Sequence, residues 1–209
     1  MGLTVLYSGS FNPLHIGHLA ILRALNARTD VERILLTVSP QNPLKETPAS
    51  ESSEARFLAA QQALSRHPEL TKVVASDIEI HLPPPHYTIQ TLDTLHTLYT
   101  GGGADAVRRT EMSSSEARES DGAGTQELRL AVGGDQLADF RRWRDYRRIL
   151  LKYGLIVYPR DGFDTPALRD SLLRENPAYR ITLLDAPEIK ISSTLLREGK
   201  VEDVEKFLM

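Results

Sequence analysis

Apolar positions along the chain fall into two rhythms. Residues 3–7, 33–38, 72–75, 128–132, 154–158 and 179–184 are short, nearly continuous apolar runs bounded by turn residues. Runs of that length and composition read as strands buried on both faces. Ile78-Glu79-Ile80 reads as one more short strand. Between these runs the rhythm changes to helical. Residues 19–25 and 53–65 read as helices, the second with Phe57, Leu58 and Leu64 toward the core. Residues 88–99 place Ile89, Leu92, Leu95 and Tyr99 at helical spacing, with Thr88 near the N-cap. A helix carrying Phe140 and Trp143 follows Gly133, another spans 166–173, and residues 189–197 cross a loop into a helix. Residues 201–208 close the chain. Strand and helix alternate, so the expected fold is α/β: a doubly wound parallel sheet with helices on both faces.

Two segments break the rhythm. Residues 39–46 carry Pro40 and Pro43, which exclude regular structure there, and Pro83-Pro84-Pro85 interrupts the chain again. Residues 100–127 hold five glycines, no aromatic residue and a serine-rich, mixed-charge centre. That composition predicts a flexible insertion within a single domain spanning 1–209. A solvated spacer is its plain reading, and a lid or partner-binding segment is the alternative.

Composition narrows the class without naming a chemistry. The 209 residues are 41% hydrophobic and 25% charged, ordinary values for a globular chain with a real core. A net charge of −3 gives no broad basic surface for nucleic acid. The absence of cysteine excludes disulfides and thiolate metal sites. No secretory signal pattern, myristoylation signature or membrane-length apolar run is present, so a cytoplasmic location with no membrane partner is expected. Oligomeric state is not readable, and a homo-oligomer stays open.

Chemistry concentrates just after the predicted strands, where open sheets of this kind bind ligands. Gly9-Ser10-Phe11-Asn12-Pro13-Leu14-His15-Ile16-Gly17-His18 joins the first strand to the first helix. A strand, a glycine turn and a helix N-terminus make an anion site. Gly9 is expected to take a backbone conformation closed to other residues, or to let a ligand approach. Gly17 leaves room for a flat ring or ribose, and His15 and His18 can reach one face of the turn. Near the other end, Ser192, Ser193 and Thr194 sit at a helix start with Arg197 on the same face. Hydroxyl caps, free N–H groups and a guanidinium fork suit phosphate oxygens. Asn42 and Lys45 follow the second strand. Gly133 and Asp135 follow the 128–132 strand, and Tyr87-Thr88 opens a helix. Blander readings stand beside several: a helix cap for Asp135 and Thr88, core packing for Trp143 and a solvated loop residue for Lys45. Arg56 is a further candidate for the vicinity of the site, with a helix-surface position as the favoured reading.

The residue 9–18 pattern resembles the signature of the HxGH nucleotidyltransferase superfamily. Within it the chain is most similar to bacterial nicotinate/nicotinamide mononucleotide adenylyltransferases. Gly133-Gly134-Asp135-Gln136-Leu137 with Phe140 and Trp143, and Ser192-Ser193-Thr194 with Arg197, match further motifs of that family. The resemblance implies a Rossmann-like fold and adenylyl transfer from ATP to nicotinate mononucleotide, with Mg²⁺ carried in on ATP. It implies catalytic roles for His15, His18, Lys45 and Arg197. ATP would be held by Gly9, Ser10, Phe11, Gly17, Gly133, Asp135, Ser192, Ser193 and Thr194. The mononucleotide would be held by Asn42, Tyr87, Thr88, Trp143 and Arg144, where relatives often have an aromatic residue in place of Arg144. Nicotinamide mononucleotide or another phosphate acceptor on the same fold is the first alternative. A non-catalytic nucleotide sensor is the second.

Overall fold

A computed structural model of the chain describes residues 2–40, 51–100, 127–198 and 208–209. Six parallel strands form one sheet in the order β3-β2-β1-β4-β5-β6. They are β1 Leu3–Gly9, β2 Val31–Val38, β3 Val73–Ser76, β4 Glu127–Gly133, β5 Leu155–Tyr158 and β6 Ile181–Leu183. The helices are α1 Ile16–Ala27, α2 Ser53–Ser65, α3 Thr88–Thr100, α4 Gly134–Ala138, α5 Tyr146–Arg148, α6 Thr165–Glu175 and α7 Ser193–Arg197. This is the doubly wound order, with its reversal between β1 and β4.

The strand alternation feeds two cores. Val5 and Tyr7 of β1 and Ile34, Leu36 and Val38 of β2 pack on one face with Leu22 and Leu25 of α1 and Ala60 and Ala63 of α2. Leu6, Leu35, Leu130, Val132 and Val157 pack on the other face with Ile89, Leu92 and Leu95 of α3 and Leu172 of α6. Successive side chains point to opposite faces and both faces are covered, so these strands read as continuous apolar runs.

The strand pairing also opens the crevice. β1 pairs with β2 along its length, to Gly9 opposite Val38. On its other side it pairs with β4 only from Leu3 opposite Glu127 to Leu6 opposite Leu130. Beyond that point the carboxyl ends of β1 and β4 have no shared ladder. The space between Gly9 and Gly133 lies at the switch point, where an open sheet takes its ligand.

Several local expectations need correction. Ile78–His81 is a 3-10 helix, not a strand, and both Ile78 and Glu79 are buried. An inward Glu79 is incompatible with the two-residue alternation of a half-buried strand. Leu58 is 57% exposed, and α2 turns Arg56, Ala60 and Ala63 inward instead. Two alanines let α2 approach the sheet closely, which leaves the larger leucine outside. The helix after Gly133 stops at Ala138. Phe140–Arg142 is a separate 3-10 turn, and Trp143 lies extended beyond it. Residues 144–153 carry an element with no sequence expectation: α5 runs into a π-helical stretch, Ile149–Tyr153, that ends at Gly154 with φ 82°. A Cβ there would meet the Arg180 carbonyl oxygen at 2.6 Å, so only glycine fits. The insertion expected at 100–127 and the closing segment 201–208 fall almost wholly outside the described residues.

Candidate active site

The loop after β1 builds its site with an unusual cap. His15 is the N-cap of α1, and its Nδ1 accepts the Gly17 N–H at 3.1 Å. His18 Nδ1 accepts the His15 N–H at 3.2 Å. The two imidazoles thus perform the reciprocal work of a capping box. They stack with centroids 3.8 Å apart. The tautomers follow from these bonds. Each Nδ1 is an acceptor, so each neutral ring carries its proton on Nε2. His15 Nε2 is buried and has no partner among the described residues. A buried, unpaired donor costs free energy unless a ligand oxygen meets it.

Both rings stay neutral. Burial, and next the charge of Arg160, pull the His15 pKa down to about 4. His18 is depressed by burial, by its neighbour His15 and by Arg160. The pair therefore offers uncharged Nε2–H donors at neutral pH, ready to follow charge that develops on a phosphate oxygen.

The glycines serve close packing. Of the two expectations for Gly9, the unusual backbone conformation is absent: Gly9 does not have a positive φ. Phe11 has it instead, at 42°, and its ring lies 3.0 Å from where a Gly9 Cβ would stand. The same ring meets His18 edge-on at 5.1 Å. The His15 ring lies 3.0 Å from where a Gly17 Cβ would stand, so a larger residue at this position would press on the stacked imidazoles.

α7 docks onto this loop from the far end of the chain. Ser192 caps it by accepting the Leu195 N–H at 3.3 Å. Ser193 Oγ donates to the Pro13 carbonyl at 3.0 Å, and Arg197 Nη1 donates to the Asn12 carbonyl. Arg197 Nη2 donates to Thr194 Oγ1 at 3.3 Å. Leu208 also reaches the loop, bridging His15 through the backbone.

Across the crevice, Gly133 ends β4, and Gln136 Oε1 accepts its N–H at 2.9 Å. Gln136, not Asp135, makes the turn into α4. A Cβ on Gly133 would strike the Asp135 carboxylate and the Tyr158 ring, so this position too requires glycine. Asp135 remains half-exposed, 3.9 Å from Arg160 Nε. Tyr7 and Tyr158 meet edge to face at 5.8 Å beneath it. Burial raises both phenol pKa values, that of Tyr158 to about 12, so both keep their protons.

The third wall comes from α3. Glu79 is buried and accepts from Ser8 Oγ at 2.9 Å and Thr91 Oγ1 at 3.2 Å. It thereby ties the end of β1 to the helix that opens with Tyr87-Thr88. Burial raises its pKa, against hydrogen bonds that lower it. The Arg144 guanidinium lies 5.5 Å over the Tyr87 ring, and Trp143 packs on Phe140 at 4.9 Å. The expected mononucleotide residues Tyr87, Thr88, Trp143 and Arg144 thus border one region, while Asn42 and Lys45 lie outside the described residues.

Two neighbours of the site escaped the sequence reading, Arg160 and Glu79. Arg160 had a usable signal, since Pro159-Arg160 follows β5 at the same carboxyl edge as every other motif. Glu79 had none, because an inward charged residue looks like a surface one in sequence. Arg56 was expected on the helix surface and is instead buried, 1% exposed. No group of carboxylates and imidazoles among the described residues could hold a metal ion. His15 and His18 are also unsuited as ligands, because each Nδ1 is already an acceptor and each Nε2 carries its proton.

Comparison with known proteins agrees with this geometry. Residues 6–199 match the model of the cytidylyltransferase-like family. A Porphyromonas gingivalis protein named "Probable nicotinate-nucleotide adenylyltransferase" is 34% identical over 96% of this chain and 85% of its own length. A protein of the same name from Cytophaga hutchinsonii is 34% identical over 92% of this chain and 82% of its own. Among solved structures, the Plasmodium falciparum nicotinic acid mononucleotide adenylyltransferase complexed with NaAD superposes with a TM-score of 0.68. It is 16% identical and covers 100% of this chain and 91% of its own. That likeness establishes the Rossmann-like fold. The match across nearly the whole chain and the identity to these relatives place the chain in the nicotinate-nucleotide adenylyltransferase family of cytidylyltransferase-like proteins.

Proposed function

We propose that this enzyme transfers the adenylyl group of ATP to nicotinate mononucleotide, forming deamido-NAD and pyrophosphate in NAD biosynthesis. The observation that carries the reading is the pair of neutral, stacked histidines at the switch-point crevice, one with an unpaired buried Nε2–H. Those donors await an anion, and the crevice runs on to a glycine and carboxylate suited to a ribose.

An anionic 5′-phosphate oxygen of the mononucleotide attacks the α-phosphorus of ATP in line. The new P–O bond forms as the bond to the pyrophosphate oxygen breaks. The attacking oxygen is already ionised, so no general base is needed. Catalysis then rests on positioning and charge stabilisation. His15 and His18 donate from Nε2 to oxygens of the reacting phosphates. Arg197 keeps the Asn12 carbonyl on Nη1 and turns its remaining N–H groups to the leaving pyrophosphate, and Lys45 adds a second cation. Asp135 accepts the hydroxyls of the ATP ribose, with Ser192, Ser193 and Thr194 closing over the phosphates. Tyr87, Thr88, Asn42, Trp143 and Arg144 receive the mononucleotide. Mg²⁺ enters as part of the ATP substrate, held by phosphate and water. No helix among the described residues is long and apolar enough to cross a membrane. On the family reading we place the reaction in the cytoplasm.

The test is pyrophosphate release from MgATP with nicotinate and nicotinamide mononucleotides in parallel. Turnover with the acid about tenfold above the amide, about 1.4 kcal/mol of discrimination, is the expected result. Equal rates would keep the reaction and remove the acid preference. A folded protein that binds ATP yet turns over neither substrate would overturn the reading.

A further inference from the structure

Arg56 is the largest fully buried side chain of the described residues, with 1% of its surface exposed. It projects from the first turn of α2 toward the carboxyl ends of β1 and β2. Nη1 donates to the Ser10 carbonyl at 2.6 Å and the Ser39 carbonyl at 2.9 Å. Nη2 donates to the Pro40 carbonyl at 3.2 Å, and Nε to the Glu51 carbonyl at 3.3 Å. Four of its five N–H groups are therefore engaged by backbone oxygens. Among the described residues no carboxylate pairs with it, and Glu51 and Glu54 act on it only from a distance.

This arrangement is costly as mere scaffolding, because among the described residues the charge is met directly by backbone dipoles, with Glu51 and Glu54 acting only from a distance. Its effect on the neighbouring loop is specific. The Ser10–Phe11 peptide is trans, so its carbonyl and N–H point in opposite directions. Drawing the Ser10 oxygen onto Arg56 sends the Phe11 N–H away from α2. It also holds Phe11 in its positive-φ conformation, with the ring against His18. On the other side of the loop, Ser193 and Arg197 take the Pro13 and Asn12 carbonyls. Carbonyl dipoles are thus tied up by donors on both flanks, which leaves an anion facing N–H groups in place of lone pairs.

We propose that Arg56 is a positioning residue for adenylyl transfer. It clasps the anion loop after β1 to the loop after β2 and sets the direction of the peptide dipoles that face the reacting phosphates. The inference rests on the adenylyltransferase reading above, and goes beyond it by assigning a role to a residue that touches no substrate.

The experiment compares wild type, Arg56→Lys and Arg56→Gln. Lysine keeps the charge but cannot span several carbonyls, whereas glutamine keeps some donors without charge. Melting curves report folding, and pyrophosphate release reports kcat and the ATP KM. Both variants are expected to melt cooperatively, with kcat lowered about 10²-fold, the scale of a small misplacement of reacting groups. The ATP KM should move less than about fivefold, because donors on the other elements remain. A folded lysine variant with kcat within about threefold of wild type would overturn the proposal. So would failure of both variants to fold, which would make Arg56 a brace of the fold alone. Wild type inactive with every mononucleotide would instead overturn the functional reading, and this inference with it.

Discussion

At the scale of single residues, the site depends on keeping two imidazoles uncharged. The folded protein holds His15 near a pKa of about 4, while an unfolded imidazole titrates near 6.5. Between those values the unfolded chain binds the proton that the folded chain refuses. Stability from this residue is therefore fully present above about pH 6.5 and is lost as pH falls toward 4, by a ceiling of roughly 3 kcal/mol. His15→Asn keeps an oxygen that can accept the Gly17 N–H and removes the titration. The stability difference between wild type and this variant, from urea midpoints, should shrink as pH drops from 7 to 4.5. Glu79 is common to both proteins, so its opposite trend cancels. A difference that stays constant with pH would mean that His15 titrates normally. The motif around His15 was legible as an anion site because it joins a strand to a helix. The neutrality of the rings was not legible, since it depends on burial and on Arg160, more than 140 positions away in the chain.

At the scale of elements, α7 shows how a short segment acquires a fixed place. Five residues are too few to pay for helix nucleation in isolation. The Ser192 cap, the buried Leu196 and the bonds from Ser193 and Arg197 to the loop of α1 supply what the helix lacks. Ser193→Ala removes one loop contact, worth about 1 kcal/mol. The expected result is an ATP KM raised about fivefold with a nearly unchanged melting temperature, since the loss falls on docking and not on the core. An unchanged KM would show that α7 does not guide ATP. The strands and long helices were readable because their burial patterns repeat over many residues. The short elements were not. Ile78–His81 and Phe140–Arg142 are single 3-10 turns, and three or four residues carry too little periodicity to reveal them. Arg56 was read as a helix-surface residue for a different reason: α2 has a weakly amphipathic sequence, so nothing distinguished its inward face.

At the scale of the molecule, the site belongs to neither half of the sheet. β1 and β2 bring the anion loop, and β4 and β5 bring Gly133, Asp135 and Arg160. The halves share a ladder only from Leu3 to Leu6, and beyond it the crevice stands open. A nucleotide whose phosphates lie on the first half and whose ribose lies on the second must bridge that opening. Its binding then restrains both halves together, and the folded state gains about 2.7 kcal/mol at a hundredfold excess over Kd. Hydrogen exchange reads this directly, because the amides of residues 9–11 and 133–135 sit on opposite walls. ATP should slow exchange on both walls over the same concentration range, whereas pyrophosphate should protect the first wall alone. Protection by ATP confined to residues 9–11 would place the adenosine elsewhere. It would also remove Gly133 and Asp135 from the nucleotide site, leaving the histidine loop as a phosphate site only.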